Sequence, residues 1–223
     1  MGGAEIRYDA YATLRSVRSM SGTATVHVVD DDAAMRDSLR MLLESAGFAV
    51  RTFDSASAFL ASEPMGLGCV LTDVRMPEID GLALLRRLRE QGVHLPVIVM
   101  TGQGDIAIAV QAMKGGAIDF LEKPFDDATL IDAVGKALKQ SERLQEVAEA
   151  SAEAASRLAT LTPREREVFD LLVTGLPNKA IANTLGGSPR TIEVHRARVF
   201  EKLKAHSLPD LVRLLLAAES STA

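Results

Sequence analysis

The chain has 223 residues, with 25 Lys+Arg against 30 Asp+Glu, a formal charge of −5 and a single cysteine. That length admits one large domain or two small ones. One cysteine excludes an intrachain disulfide framework and fits a reducing cytoplasm, and no apolar run approaches the roughly 18 residues of a membrane span. The charge is uneven: residues 22–140 carry 11 basic against 17 acidic side chains and residues 141–156 carry 1 against 4, whereas residues 157–223 carry 10 against 7. An acidic first part joined to a basic second part points to a polyanion as a partner of the second part alone.

In chain order, residues 1–22 hold Arg7, Arg15 and Arg18 but no apolar core of a secretory signal, and read as a disordered arm. From residue 24 to 140, strand-like and helix-like stretches alternate five times, with strands near 25–29, 48–52, 69–72, 96–100 and 117–121. This is the pattern of a doubly wound α/β domain built on a five-stranded parallel sheet. The first helix places Met35, Leu39, Leu42, Leu43 and Ala46 on one face and stops at Gly47, with Asp32 as its cap. Cys69 sits in an apolar strand and reads as a small buried hydrophobe.

The strand ends carry the chemistry. Asp30 and Asp31 close the first strand, Asp73 closes the third, Thr101 closes the fourth, and Lys123 follows the fifth, just before Pro124. In parallel sheets ligands bind at the carboxyl ends of strands, so these side chains share one rim. Three carboxylates there repel unless a cation neutralises them, and oxygen-only ligation favours magnesium, with manganese as the alternative. A nucleophilic carboxylate, a hard cation, a hydroxyl and an ammonium together make a phosphoryl-transfer site. The Lys123-Pro124 step is a candidate cis peptide.

Residues 141–158 are rich in Ala, Glu and Ser and extend the last helix of the first domain as a helical linker. A second domain, residues 159–219, opens at Thr162-Pro163-Arg164-Glu165, where Thr162 is an N-cap, Pro163 suits the first turn and Glu165 closes a capping box. Three further helices, Lys179 to Leu185, Thr191 to Leu203 and Leu208 to Ala218, give a small all-α domain of four helices. The second and third read as helix-turn-helix. On the third, Ile192, Val199 and Leu203 form the apolar face. The opposite surface carries Arg190, Glu193, Arg196, Ala197, Arg198 and Lys202, which suits either an ordinary solvated helix or the major groove of double-stranded DNA.

The segments Val28-Val29-Asp30-Asp31, Thr72-Asp73-Val74-Arg75-Met76-Pro77, Thr101-Gly102 and Lys123-Pro124-Phe125 resemble the receiver domain of two-component response regulators, which has a flavodoxin-like fold. The resemblance implies that Asp73 is the phosphoacceptor for a sensor histidine kinase. It also implies that Asp30, Asp31, Asp73 and the Arg75 carbonyl hold the magnesium, and that Thr101, Phe120 and Lys123 form the switch and contact the phosphate. The second domain resembles the LuxR/NarL-type DNA-binding domain through Leu161-Thr162-Pro163-Arg164-Glu165 and Ser188-Pro189-Arg190-Thr191-Ile192-Glu193-Val194-His195. The pair together is most similar to FixJ-type regulators. That similarity implies a cytoplasmic transcription regulator that is a homodimer when phosphorylated, binds promoter DNA with RNA polymerase as a further partner, and has no membrane association. It also makes His195 a packed or phosphate-facing residue, places Glu193, Val194 and Ala197 nearest the bases, and implies that Lys179, Arg190, Thr191, Arg196, Arg198 and Lys202 join them in binding DNA.

Two features depart from the family. Gly186-Gly187 stands before the recognition helix where a hydrophobic residue is usual at the second position, so a looser turn is expected. The N-terminal arm has no counterpart, and Met20 is the expected native start. Two other readings remain beside this one. A phosphatase or phosphotransferase would want a second carboxylate two positions after Asp73, where Arg75 stands. A phosphate-independent DNA-binding protein would not need Asp30, Asp31, Thr101 and Lys123 together.

Overall fold

The computed structural model describes residues 24–63, 66–102 and 105–220. The expected disordered arm and the start at Met20 lie outside the described residues. The chain divides into two compact units between Gln145 and Glu146.

In the first unit five parallel strands form: β1 (Thr25–Val29), β3 (Gly68–Asp73) and β4 (Val97–Thr101) are apolar runs buried on both faces, and β2 (Ala49–Phe53) and β5 (Asp119–Glu122) are the more exposed edge strands. Their order is β2-β1-β3-β4-β5. The sheet is doubly wound, with the reversal of direction falling between β1 and β3. There the carboxyl ends of two adjacent strands open a crevice. The register pairs Val29 with Thr72, Asp73 with Met100 and Thr101 with Glu122. β5 begins two residues later than the apolar run suggests: the Ala117 N–H still donates back to Ala112 O of the preceding helix, at 3.0 Å, and the Ile118 N–H donates to Val97 O at 2.9 Å, just ahead of the ladder.

Alternation along the strands sorts the core into two layers. Val26, Val28, Cys69, Leu71, Ile98, Met100 and Leu121 face α1 (Ala33–Ser45) and the start of α5 (Asp127–Ala159). Val29, Val70, Val97 and Val99 face α2 (Ala56–Ala61), α3 (Gly81–Glu90) and α4 (Ile106–Lys114). His27 lies on this second face, 4% exposed, between the rings of Phe53 and Phe59. The helix starts follow local rules: Asp32 Oδ1 accepts the Ala34 N–H at 2.8 Å to cap α1, and Asp80 Oδ1 accepts the Ala83 N–H at 2.6 Å to cap α3. Gly47, at φ 91°, takes the left-handed conformation that turns the chain out of α1 and into β2.

α5 is one unbroken helix of 33 residues. Its first turns bury Leu130, Val134, Ala137 and Leu138 in the first unit, and its last turns bury Leu158 in the second. The second unit adds α6 (Pro163–Val173), α7 (Asn178–Leu185), α8 (Pro189–Leu203) and α9 (Leu208–Glu219). They close on Val168, Phe169, Leu172, Ile181, Ile192, Val199, Leu203 and Leu211. The capping box at the head of α6 forms as the sequence implies, with Thr162 and Glu165 satisfying each other's backbone N–H. Among the described residues no helix is long and apolar enough to cross a membrane.

Candidate functional site

The crevice between β1 and β3 brings Asp30 and Asp73 to a single ammonium. Lys123 Nζ lies 2.5 Å from Asp73 Oδ1 and 3.2 Å from Asp30 Oδ2. The second oxygen of Asp73 accepts the Arg75 N–H at 2.6 Å, and Asp30 Oδ1 accepts the Asp32 N–H at 2.9 Å. Lys123 reaches the pair because its own N–H donates to Thr101 O at 2.8 Å, which seats the end of β5 beside the end of β4; the Lys123-Pro124 peptide is cis. Thr101 is 2% exposed.

Burial pushes the Asp30 carboxyl above its usual range, with the Asp32 N–H and Lys123 only partly offsetting the loss of water. Burial also opposes the charge on Lys123, but the hydrogen bond and negative charge of Asp73, joined by those of Asp30, outweigh it and hold the ammonium above its usual pKa. The lysine therefore stays protonated at neutral pH. Asp73, with 13% of its side chain exposed, keeps an approach open to solvent.

Two of the three carboxylates converge, and the third does not. Asp31 is exposed, and among the described residues no cluster of three or more His, Cys, Asp or Glu side chains could hold a metal ion. Lys123 fills the space between Asp30 and Asp73. The donor set is nonetheless entirely oxygen, and one ammonium leaves the two carboxylates with a net negative charge, which fits a hard divalent cation that takes waters and a backbone carbonyl for its remaining ligands.

Three supporting contacts were not apparent from the sequence. Arg36, one turn into α1, donates from Nη1 to Asp30 O at 2.7 Å. The Arg75 guanidinium pairs with Asp105 at 2.8 Å, tying the loop after β3 to the head of α4. At Gly81 a Cβ would stand 2.3 Å from Asp73 O, so the loop that follows Asp73 can lie against α3 only because that position is glycine. A glycine opening a helix soon after a strand-end Asp is the one signal that pointed there.

Beside the rim, Phe120 of β5 is 42% exposed. It borders a cavity of about 350 Å³ whose lining includes Thr101, Asp105, Ile106, Ala109 and Val110. Ile106, Val110, Met113 and Phe120 are all exposed, so α4 and β5 together present an apolar face.

In the second unit, α8 buries Ile192, Val199 and Leu203 and leaves Arg190, Thr191, Glu193, Val194, Ala197 and Arg198 exposed. Ser188 caps it, its Oγ accepting the Thr191 N–H at 3.1 Å. Arg196 reaches Asn178 Oδ1 at 3.2 Å and lies over the Phe200 ring, while Lys179 is exposed on α7. His195 is half-buried, its Nδ1 without a hydrogen-bond partner among the described residues. The Gly186-Gly187 turn is closed rather than loose: Gly186 is left-handed at φ 65°, the Gly187 N–H donates to Ala182 O at 2.9 Å, and Arg164 Nη2 donates to Leu185 O at 2.7 Å. A Cβ on Gly187 would meet Arg164 at 3.6 Å, so this guanidinium occupies the side where a larger residue would pack.

Residues 26–135 match the response regulator receiver domain, and residues 159–215 match the bacterial regulatory proteins of the luxR family. The chain therefore belongs to the two-component response regulators that join a receiver domain to a LuxR-type DNA-binding domain, a family of transcription regulators rather than of enzymes. Its similarity extends along nearly the whole chain to proteins named FixJ. It is 55% identical over 200 residues to the transcriptional regulatory protein FixJ of Azorhizobium caulinodans, covering 89% of this chain and 95% of that one. It is 50% identical to FixJ of Bradyrhizobium diazoefficiens over 89% of this chain and 98% of the other. Among solved structures, the response regulator StyR superposes with a TM-score of 0.77 at 41% identity, covering 87% of this chain and 99% of that one. Full-length FixJ from B. japonicum gives 0.55 at 49% identity, covering 90% and 99%.

Proposed function

We propose that Asp73 accepts a phosphoryl group from the phosphohistidine of a partner sensor kinase and that the phosphorylated chain acts as a homodimer on promoter DNA. The observation that carries this reading is the single ammonium of Lys123 set between Asp73 and Asp30. A carboxylate oxygen of Asp73 attacks phosphorus as the P–N bond of the donor breaks, and the departing imidazole takes up a proton. Lys123 then follows the new negative charge onto a phosphoryl oxygen, and the Thr101 hydroxyl, on the adjacent strand end, donates to another. The Arg75 N–H keeps the acceptor carboxylate from rotating. Asp30, Asp73 and the Arg75 carbonyl, with Asp31 acting through water, are the residues that would hold magnesium, with manganese as the alternative. Such a cation supplies charge neutralisation between the carboxylates and the incoming phosphoryl group.

Phe120 borders the cavity next to Thr101, so movement of the hydroxyl toward the phosphate lets the ring turn inward and reshapes the apolar face of α4 and β5. That face is the dimerising surface in this proposal. Dimerisation pairs two α8 helices for two half-sites. There Arg190, Thr191, Arg196, Arg198 and Lys179 contact phosphates, and Glu193, Val194 and Ala197 meet base edges, with RNA polymerase as the next partner at the promoter. Analytical ultracentrifugation with acetyl phosphate and magnesium tests the receiver part: a monomer that becomes a dimer, and an Asp73→Asn variant that stays monomeric, are expected. A wild-type protein that carries the phosphoryl group and remains monomeric would refute the dimer.

A further inference from the structure

Four basic residues lie on α8, and Lys202 is the one whose charge meets a carboxylate among the described residues. Its Nζ stands 2.6 Å from Glu165 Oε2 and 3.2 Å from Thr160 O. Glu165 is 2% exposed, and the same Oε2 accepts the Thr162 N–H at 2.9 Å. The lysine thus reaches across from the third helix of the domain to the turn that enters its first. Its position along α8 agrees: it follows the fully buried Val199 by three residues and precedes the fully buried Leu203 by one. That puts it at the edge of the packed stripe, with about a third (35%) of its side chain open to solvent and its ammonium turned to Glu165, whereas Arg190, Glu193, Ala197 and Arg198 lie on the exposed side. A buried carboxylate needs a cation, and no other basic group pairs with Glu165 among the described residues. The pairing holds the Glu165 carboxyl at about 2, with the Lys202 hydrogen bond as the largest cause.

We infer that Lys202 is a positioning residue: through Glu165 and Thr160 it sets how α8 is presented to DNA, and it makes no contact of its own to the phosphate backbone. This rests on the reading of the second unit as a binder of double-stranded DNA. A lysine that neutralises a phosphate releases counterions and steepens the fall of affinity with salt by about 0.9 in log–log slope. A lysine spent on Glu165 adds nothing to that slope. The alternative assignment, in which Lys202 joins Arg190 and Arg198 along the backbone, requires its ammonium to leave a buried anion unpaired in the bound state.

The test uses the full-length wild-type chain and a random-sequence duplex at low salt, with lysine acetylation by a succinimidyl ester followed by mass spectrometry. Lys202 is expected to acetylate several-fold more slowly than exposed Lys179 and Lys204 in the free protein, at a rate the duplex does not change. Lys202 reacting as fast as Lys204, or becoming protected on DNA, overturns the inference. A chain that fails to shift the duplex at all defeats the DNA reading itself, an outcome distinct from both. Lys202→Met then separates positioning from mere stability: binding weakens about tenfold or more with the salt slope unchanged, and Lys202→Arg, which keeps a cation on Glu165, recovers most of it. Unchanged affinity in a folded Lys202→Met variant, or a slope reduced by about 0.9, contradicts the assignment. Should Lys202→Met not fold, the wild-type acetylation rates decide.

Discussion

His27 should make the receiver domain sensitive to acid well before its carboxylates titrate. Burial among Phe53 and Phe59 removes water from the imidazole, and Arg51, its register partner on β2, adds repulsion, so its pKa falls from 6.5 to about 4. The unfolded chain therefore takes up the proton first, and stability rises with pH between those two values. The contribution is fully present above the unfolded value, falls as pH drops below it, and levels off beneath the folded one. A shift of this size corresponds to about 3 kcal/mol in total, of which about 2 kcal/mol is already lost at about pH 5. His27→Leu removes the titration and also the Nδ1 that lacks a hydrogen-bond partner among the described residues, so it should cost little at neutral pH. Urea unfolding of the receiver transition from about pH 7.5 to about pH 4.5 measures the difference directly. Wild type should lose stability over that range faster than His27→Leu by about 2.5 kcal/mol. Parallel curves for the two proteins would refute the buried neutral histidine.

Three other outcomes follow from the geometry. Gly81→Ala must displace the loop that carries Asp73, since its Cβ falls 2.3 Å from that residue's carbonyl; labelling by acetyl phosphate should slow about tenfold or more, together with a lower melting temperature. Lys123→Met removes the ammonium 2.5 Å from Asp73, so the acyl phosphate should form at least about tenfold more slowly while Asp73 remains the labelled residue, as peptide mapping would show. Glu165, held at about 2, stabilises the second domain above the unfolded carboxylate value, and that stability is lost as pH falls through about 2. Glu165→Gln should flatten acid unfolding of residues 146–223 across that window in circular dichroism.

The local devices were legible in the chain: valine runs ending in Asp30, Asp73 and Thr101, the Asp32 cap, the exit at Gly47, and the capping box at Thr162 and Glu165 all depend on neighbours within a few residues. Pairings made by the fold were not. Nothing near Lys123 in sequence says that it, rather than Asp31, joins Asp30 and Asp73. The bond from Arg36 to the Asp30 carbonyl, the Arg75–Asp105 pair and the approach of Gly81 to Asp73 arise from how separate loops meet at the rim. Lys202 illustrates the limit of reading charge by helix face. Counted with the arginines it looks like part of a groove-facing surface, yet its place one residue before Leu203 sets it beside the core, where a buried glutamate takes it. The Gly186-Gly187 turn is similar: its firmness comes from Arg164, some 20 residues earlier, through a hydrogen bond to Leu185 O.

The central claim is that Asp73 stores the phosphoryl group. Intact-mass and peptide mass spectrometry after incubation with acetyl phosphate and magnesium measures it directly. One phosphoryl group per chain, labile to hydroxylamine and located on the peptide containing Asp73, is expected in the wild type, with none in Asp73→Asn. Full labelling of Asp73→Asn, or a stable label on any other residue of the wild type, would contradict the account.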